Sequence, residues 1–245
     1  MNHRSIALAF LSATLFVCDA CGDLPGRPAP NSIPVDPDNI TDFSLLYTEN
    51  CSGCHGADAK GGAALALADP VYLAIVDDNA MHKVVTNGIP GTSMAAFAKS
   101  AGGMLTEHQV DIIVRGVRQR YSKPDALAGA TPPPYTASTP GDANRGAVVY
   151  DTFCSSCHGA NGKGGPKASS IVDGSFLALL TDQELRTLVI VGRPDLGAPD
   201  WRNNVPSKAM TPQEISDVVA WLSAKRPQFA GRPYPSVSKA AGVLP

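Results

Sequence analysis

The pentapeptide pattern C-x-x-C-H occurs twice, as Cys51-Ser52-Gly53-Cys54-His55 and Cys154-Ser155-Ser156-Cys157-His158, and no other feature constrains this chain as strongly. Two thiols three positions apart can each form a thioether with one vinyl group of haem, and the adjacent histidine then meets the iron from below. The thioethers fix the porphyrin, while the imidazole sets spin state and redox behaviour. A single C-x-x-C would equally suit half a zinc site or a redox dithiol. Two copies, each with the trailing histidine, favour two haem c groups, one held by Cys51, Cys54 and His55 and one by Cys154, Cys157 and His158.

The rest of the composition fits that reading. The chain has 245 residues, enough for two small domains, and only 6% aromatic residues. A haem supplies the large flat apolar element that such small domains otherwise lack. A formal charge of −2 gives no reason to expect a nucleic-acid partner.

Residues 1–20 read as a signal peptide. His3 and Arg4 precede an apolar run from Ile6 to Val17, which is too short to span the roughly 30 Å bilayer core as a helix. The thioethers consume four of the six cysteines and leave Cys18 and Cys21. Cleavage before Cys21 would leave that residue to carry lipid, with Ala20 as the small residue before the cut. Cys18 and Asp19 fit such a site poorly, and an ordinary cut nearby would leave a free thiol or a disulfide instead. The lipid-bearing reading is preferred, because Cys21 stands where the apolar run gives way to a Pro-rich tether over 21–39. It anchors the protein on the periplasmic side of a bacterial membrane.

The chain repeats itself. Cys51, Cys54 and His55 meet Cys154, Cys157 and His158 at an offset of 103, as do Tyr47 and Tyr150, and Lys60-Gly61-Gly62 and Lys163-Gly164-Gly165. Asp78, Val85, Gly88 and Pro90 meet Asp182, Val189, Gly192 and Pro194 at 104; Thr106, Val110 and Ile113 meet Thr211, Ile215 and Val218 at 105. Domain 1 is expected over 40–121 and domain 2 over 142–228. A Pro-rich linker over 122–141 is expected to be extended, and a Pro-rich tail occupies 229–245. Each repeat shows three helical patterns: one leading into C-x-x-C-H, a middle one (Asp78 to Thr86, Asp182 to Val191), and a last one (Thr106 to Gln119, Thr211 to Lys225). Thr211, Pro212 and Glu214 form a capping-box start.

These features together resemble the all-α class I cytochrome c fold, here as two tandem domains, in which the first and last helices cross beside the haem. The arrangement is similar to that of lipid-anchored dihaem cytochromes of bacterial respiratory chains. The resemblance implies electron transfer, with a quinol-oxidising complex and a terminal oxidase or another cytochrome as partners. An electron carrier is therefore expected rather than an enzyme. The alternatives are a dihaem redox enzyme of the peroxidase or thiosulfate-oxidising type, and a gas sensor or structural subunit of a larger respiratory complex.

The sixth iron ligand separates these readings. Asn87 to Phe97 resembles the loop that presents the distal methionine in this family, which makes Met94 the expected ligand of the first iron; Met104, His82 and His108 are the other candidates. At the offset of 104, Met94 falls on Ala198, which cannot coordinate iron. Met210 aligns with Leu105 ahead of the last helix and has two readings: a core side chain, which is preferred, or an iron ligand reached by rearrangement of the loop. Lys208, Asn203, water, hydroxide or an empty position are further options. His55 and His158 should each donate a ring N–H to a backbone carbonyl. The resemblance places that carbonyl at Pro166 in the second repeat and at Ala63 in the first.

Overall fold

Most helices of this chain begin where a short polar side chain closes the first turn. The computed structural model describes residues 35–227. The expected leader (1–20), Cys18, the lipid-bearing Cys21, the tether up to residue 34 and the tail 229–245 lie outside the described residues. The chain divides into two units, Met1–Asn39 and Ile40–Pro245. In the first, Pro37–Asn39 makes a 3-10 turn.

The second unit runs through one helix order twice. The first repeat has α1 (Phe43–Asn50), α2 (Ser52–His55), α3 (Pro70–Ile75), α4 (Asp78–Asn87) and α5 (Glu107–Tyr121). The second has α6 (Ala143–Phe153), α7 (Ser155–His158), α8 (Gly174–Ala178), α9 (Asp182–Val191) and α10 (Pro212–Ser223). Among the described residues there is no β-strand, only isolated bridges. The three expected patterns per repeat are all present. The short α3 and α8 add to them, each started by an aspartate (Asp69, Asp173) that accepts from two backbone N–H groups.

Capping fixes the ends of the long helices. Asp42 and Asp142 accept from Leu45 N and Arg145 N at the starts of α1 and α6. Thr106–Gln109, Thr181–Glu184 and Thr211–Glu214 form reciprocal capping boxes on α5, α9 and α10. Gln109 also reaches the Ile40 carbonyl at 3.0 Å, tying the entry of the repeat to its last helix.

In each repeat the first helix crosses the last. Leu46, Tyr47, Val110, Ile113, Val114 and Val117 bury the first crossing; Val149, Tyr150, Phe153, Ile215, Val218 and Leu222 bury the second. Fully buried aliphatic side chains of this kind contribute about 1.5–3 kcal/mol each.

The two crossings solve the same packing problem with large and small residues exchanged. In the first, Gly116 on α5 lies against the ring of Phe43 on α1, so that a Cβ would stand inside the ring. In the second, the partners of these positions are Gly146 on α6 and Trp221 on α10. There the glycine sits on the first helix, against the Asp217 carbonyl and Trp221 Cβ, and the large ring is on the last. Trp221 then stacks on Tyr150 with ring centroids 4.3 Å apart.

The Pro-rich linker over 122–141 is bound as a strap to the second repeat. Arg186 on α9 is only 2% exposed, and its guanidinium donates to the carbonyls of Pro134 and Tyr135 and to Ser216 Oγ. Gln183 Nε2 adds a bond to Tyr135 O, Gln213 Nε2 one to Pro140 O, and Arg202 Nη1 one to Leu127 O. A buried guanidinium must place its donors, and the strap offers carbonyls for them.

Candidate functional site

The two C-x-x-C-H turns have the same local geometry. Each long helix ends on the first cysteine: Cys51 N donates to Tyr47 O and Cys154 N to Tyr150 O. A four-residue helix then carries the second cysteine and the histidine, closing at Gly56 and Gly159 with positive φ of 83° and 70°. The tyrosines matched in sequence brace this turn, with Tyr47 Oη donating to Gly56 O at 2.8 Å and Tyr150 Oη to Gly159 O. The Lys-Gly-Gly loop folds back beneath, with Gly61 N donating to His55 O and Gly164 N to His158 O. Both glycines at the turn, Gly56 and Gly159, lie too close to that loop for a side chain.

Each histidine is clamped through one ring nitrogen. His55 Nδ1 lies 2.7 Å from Leu65 O, and His158 Nδ1 lies 3.0 Å from Ser169 O. A carbonyl can only accept, so Nδ1 carries the proton and Nε2 keeps its lone pair for a metal. Burial lowers the pKa of His55 and so favours this neutral form. The acceptors are not the expected Ala63 and Pro166. The Gly-Gly-Pro segment closes a tight turn, with Gly165 N donating to Ala168 O, so Pro166 lies at its tip and Ser169 comes back to the imidazole. In the first repeat Ala64 N is held by Cys54 O, which delivers Leu65 instead.

Neither leading cysteine has the depressed pKa of a redox dithiol. Burial and the neighbouring cysteine push the Cys51 thiol up to about 11 and the Cys154 thiol up to about 12. A redox C-x-x-C works by lowering the pKa of its attacking thiol, the opposite direction. Among the described residues, no three His, Cys, Asp or Glu side chains group to hold a metal ion on their own. The donor set at each turn is two sulfurs and one imidazole at i, i+3 and i+4 of one helical turn, a spacing that suits haem.

The distal loops correspond in space. Ile89 N donates to Met94 O at 2.9 Å, and Arg193 N donates to Ala198 O at 3.0 Å, both pairs related by the offset of 104. Gly88 and Gly192, with φ of 64° and 74°, pass against the backbone of Met94–Ala96 and Ala198–Pro199 respectively. Ala198 therefore occupies the place of Met94. Met94 is half-buried and its backbone N–H is held by Thr92 Oγ1. Of the other candidates in that repeat, Met104 is 77% exposed, His108 is exposed, and His82 lies 3.2 Å from Asp111. Met210 is 3% exposed in the core, its N–H on Trp201 O as Leu105 N–H is on Phe97 O.

One contact was not foreseen from the sequence. Arg193, in the distal loop of the second repeat, pairs with Asp195 at 2.7 Å and donates to Gly62 O at 2.9 Å, beneath the first C-x-x-C-H turn. The signal available in the sequence is a charge standing where the first repeat has Ile89.

The family profile described as cytochrome c matches residues 143–225, and that described as cytochrome c oxidase, cbb3-type, subunit III matches residues 38–115. The chain is 27% identical over 129 residues to the cbb3-type cytochrome c oxidase subunit CcoP of Azospirillum brasilense, covering 48% of this chain and 39% of that protein. It is 25% identical over 181 residues to the cytochrome bc1 complex cytochrome c subunit of Mycobacterium bovis, covering 72% of this chain and 60% of that protein. It is 30% identical over 143 residues to the cbb3-type oxidase subunit FixP of Azorhizobium caulinodans, covering 54% of this chain and 43% of that protein. The chain thus spans about 39% to 60% of the length of these relatives.

Proposed function

From the premise that this chain is a c-type cytochrome of two tandem cytochrome c domains, we propose that it carries two haem c groups and relays electrons between membrane respiratory complexes or carriers outside the plasma membrane. The observation that carries the reading is the doubled helical turn that sets two cysteines and a histidine at i, i+3 and i+4, with the histidine Nδ1 held by a backbone carbonyl. Bound there, haem supplies a one-electron couple between ferric and ferrous iron whose potential the axial ligands set.

The chain's own residues do the rest. Cys51 and Cys54, and Cys154 and Cys157, fix the porphyrin covalently and hold its orientation. The Leu65 and Ser169 carbonyls fix the tautomer and orientation of His55 and His158, so each Nε2 faces the iron with little freedom to reorganise. Met94 supplies a thioether to the first iron, which favours the ferrous state. The Arg193–Gly62 bond joins the two repeats, which suits transfer from one haem to the other within the chain.

The relatives named as subunits of a cbb3-type oxidase and a bc1 complex support a quinol-oxidising complex and a terminal oxidase as partners. No helix among the described residues is long and apolar enough to cross a membrane. Attachment on the periplasmic side is proposed through lipid on Cys21, at the end of the leader over 1–20. The test is stopped-flow reduction of the purified holoprotein by a bc1-type complex supplied with quinol. Rapid reduction of haem with no turnover of peroxide or thiosulfate is expected. Turnover of either would identify a dihaem enzyme instead.

A further inference from the structure

We propose that the second domain holds a haem whose sixth position is left open to an external ligand, a neutral diatomic molecule such as carbon monoxide or nitric oxide bound to ferrous iron. The inference rests on the haem reading above and concerns which side chains of this domain can reach the distal side.

Ala198 stands at the position that Met94 occupies in the first domain. The equivalence is one of backbone geometry, since Arg193 N to Ala198 O repeats Ile89 N to Met94 O and Gly192 repeats the close approach of Gly88. A methyl group offers iron no lone pair.

The loop is also prevented from presenting a substitute. Ala198 N donates back to Arg193 O, closing a two-bond bridge. The Arg193 side chain is in turn fastened to Asp195 and to Gly62 O of the first domain. Moving Ala198 aside would break these contacts together.

Each nearby donor is already engaged. Met210 is enclosed by the core in the place of Leu105, its backbone bonded to Trp201 O and its sulfur 4.0 Å from Asn204 Nδ2. Coordination by Met210 would require that strand-like bond and the buried packing to be given up, at a cost comparable with losing a core side chain. Lys208 has its ammonium 4.8 Å from the Phe153 ring centroid and 4.0 Å from Glu214. Asn203 Nδ2 donates to Asp200 Oδ1 and Asn204 Nδ2 to Asp200 O.

The chemistry of the loop favours a neutral ligand. Its residues at the distal position, Ala198 and Pro199, are apolar, and its charges are paired with one another, Arg193 with Asp195 and Arg202 with Asp200. No cation of the loop is left uncompensated to attract an anion, whereas a small neutral molecule enters without desolvating a charge.

The test uses holoprotein with its haem count fixed by pyridine haemochrome. Carbon monoxide added to the dithionite-reduced protein should bind at one per chain, half the haem. Electron paramagnetic resonance of the ferric protein should show one high-spin and one low-spin centre. Ala198→Met should abolish carbon monoxide binding and convert the high-spin centre to low-spin, while Met210→Leu should leave both readouts unchanged. Two haems per chain with no carbon monoxide binding and only low-spin iron would overturn the proposal. So would carbon monoxide binding that persists in Ala198→Met, or that appears only in Met210→Leu. A count below two haems per chain overturns the haem reading itself.

Discussion

Arg193 donates to the Gly62 carbonyl across 2.9 Å, from the loop above the second proposed haem site to the loop beneath the first. One side chain thus links two functional surfaces that lie in different repeats. Asp195 lies at the surface, and the ion pair with Arg193 holds its carboxyl below its usual pKa. Arg193→Ala should cost on the order of 1 kcal/mol, because it removes the charge-assisted bond to Gly62 O while water re-solvates the exposed Asp195. Urea unfolding followed at the haem absorbance checks this. The second haem's spectrum should change more than the first's, since only the second loses its loop anchor.

Met94→Ala should lower the reduction potential of the first haem by on the order of a hundred millivolts or more, within the roughly 0.8 V range that axial ligands span. Potentiometric titration of the holoprotein measures it. The second haem's potential should not move, because its loop carries alanine already. An unchanged first potential would remove Met94 from the iron.

The helix crossing of the second repeat is tied by a carboxylate. Asp217 on α10 accepts from Arg145 Nε and Nη2, from the Asp142 N–H and from Gln213 Nε2, all at 2.8–2.9 Å. Arg145 first, with these other donors, holds the Asp217 carboxyl at about 2. A carboxylate whose pKa is depressed by folding contributes its full stability above its unfolded value of 3.8, and loses it as the pH falls through about 2. Asp217→Asn should therefore reduce stability at neutral pH and flatten the acid limb between those two values. Thermal unfolding of both proteins across that range gives the comparison.

The exchanged pair at the crossings makes a sharper mutational prediction. Gly146→Ala would drive a methyl group into the Asp217 carbonyl and Trp221 Cβ, both part of the packed α6–α10 contact. A loss of about 1–3 kcal/mol or more is expected, the usual range for overpacking. Gly53→Ala serves as the control, since a Cβ there meets nothing within 4 Å. Calorimetric unfolding of the two variants distinguishes them.

Much of this was legible in the sequence, and the reasons differ by feature. The twin pentapeptides and Tyr47/Tyr150 could be read because their spacing is fixed by a helix end and one turn, which local sequence controls. The middle and last helices could be read because Thr106, Thr181 and Thr211 are capping residues followed by apolar periodicity. The equivalence of Met94 and Ala198 could be read as an offset, and the backbone bonds reproduce it. What could not be read depends on contacts far apart in the chain. The strap follows from Arg186, which stands where the first repeat has His82 at the surface, and a buried guanidinium finds its acceptors only after folding. The carbonyls facing His55 and His158 are chosen by how a Gly-rich loop turns, and a backbone oxygen leaves no signature in residue type.

Covalent attachment of haem at both motifs is measured directly by intact-mass spectrometry of the mature protein. Material exported by cells that attach haem c should weigh the processed polypeptide plus two haems. Cys154→Ser/Cys157→Ser should lose one of them. A mature protein carrying no covalent haem, or one whose mass is unmoved by that double substitution, would contradict the account.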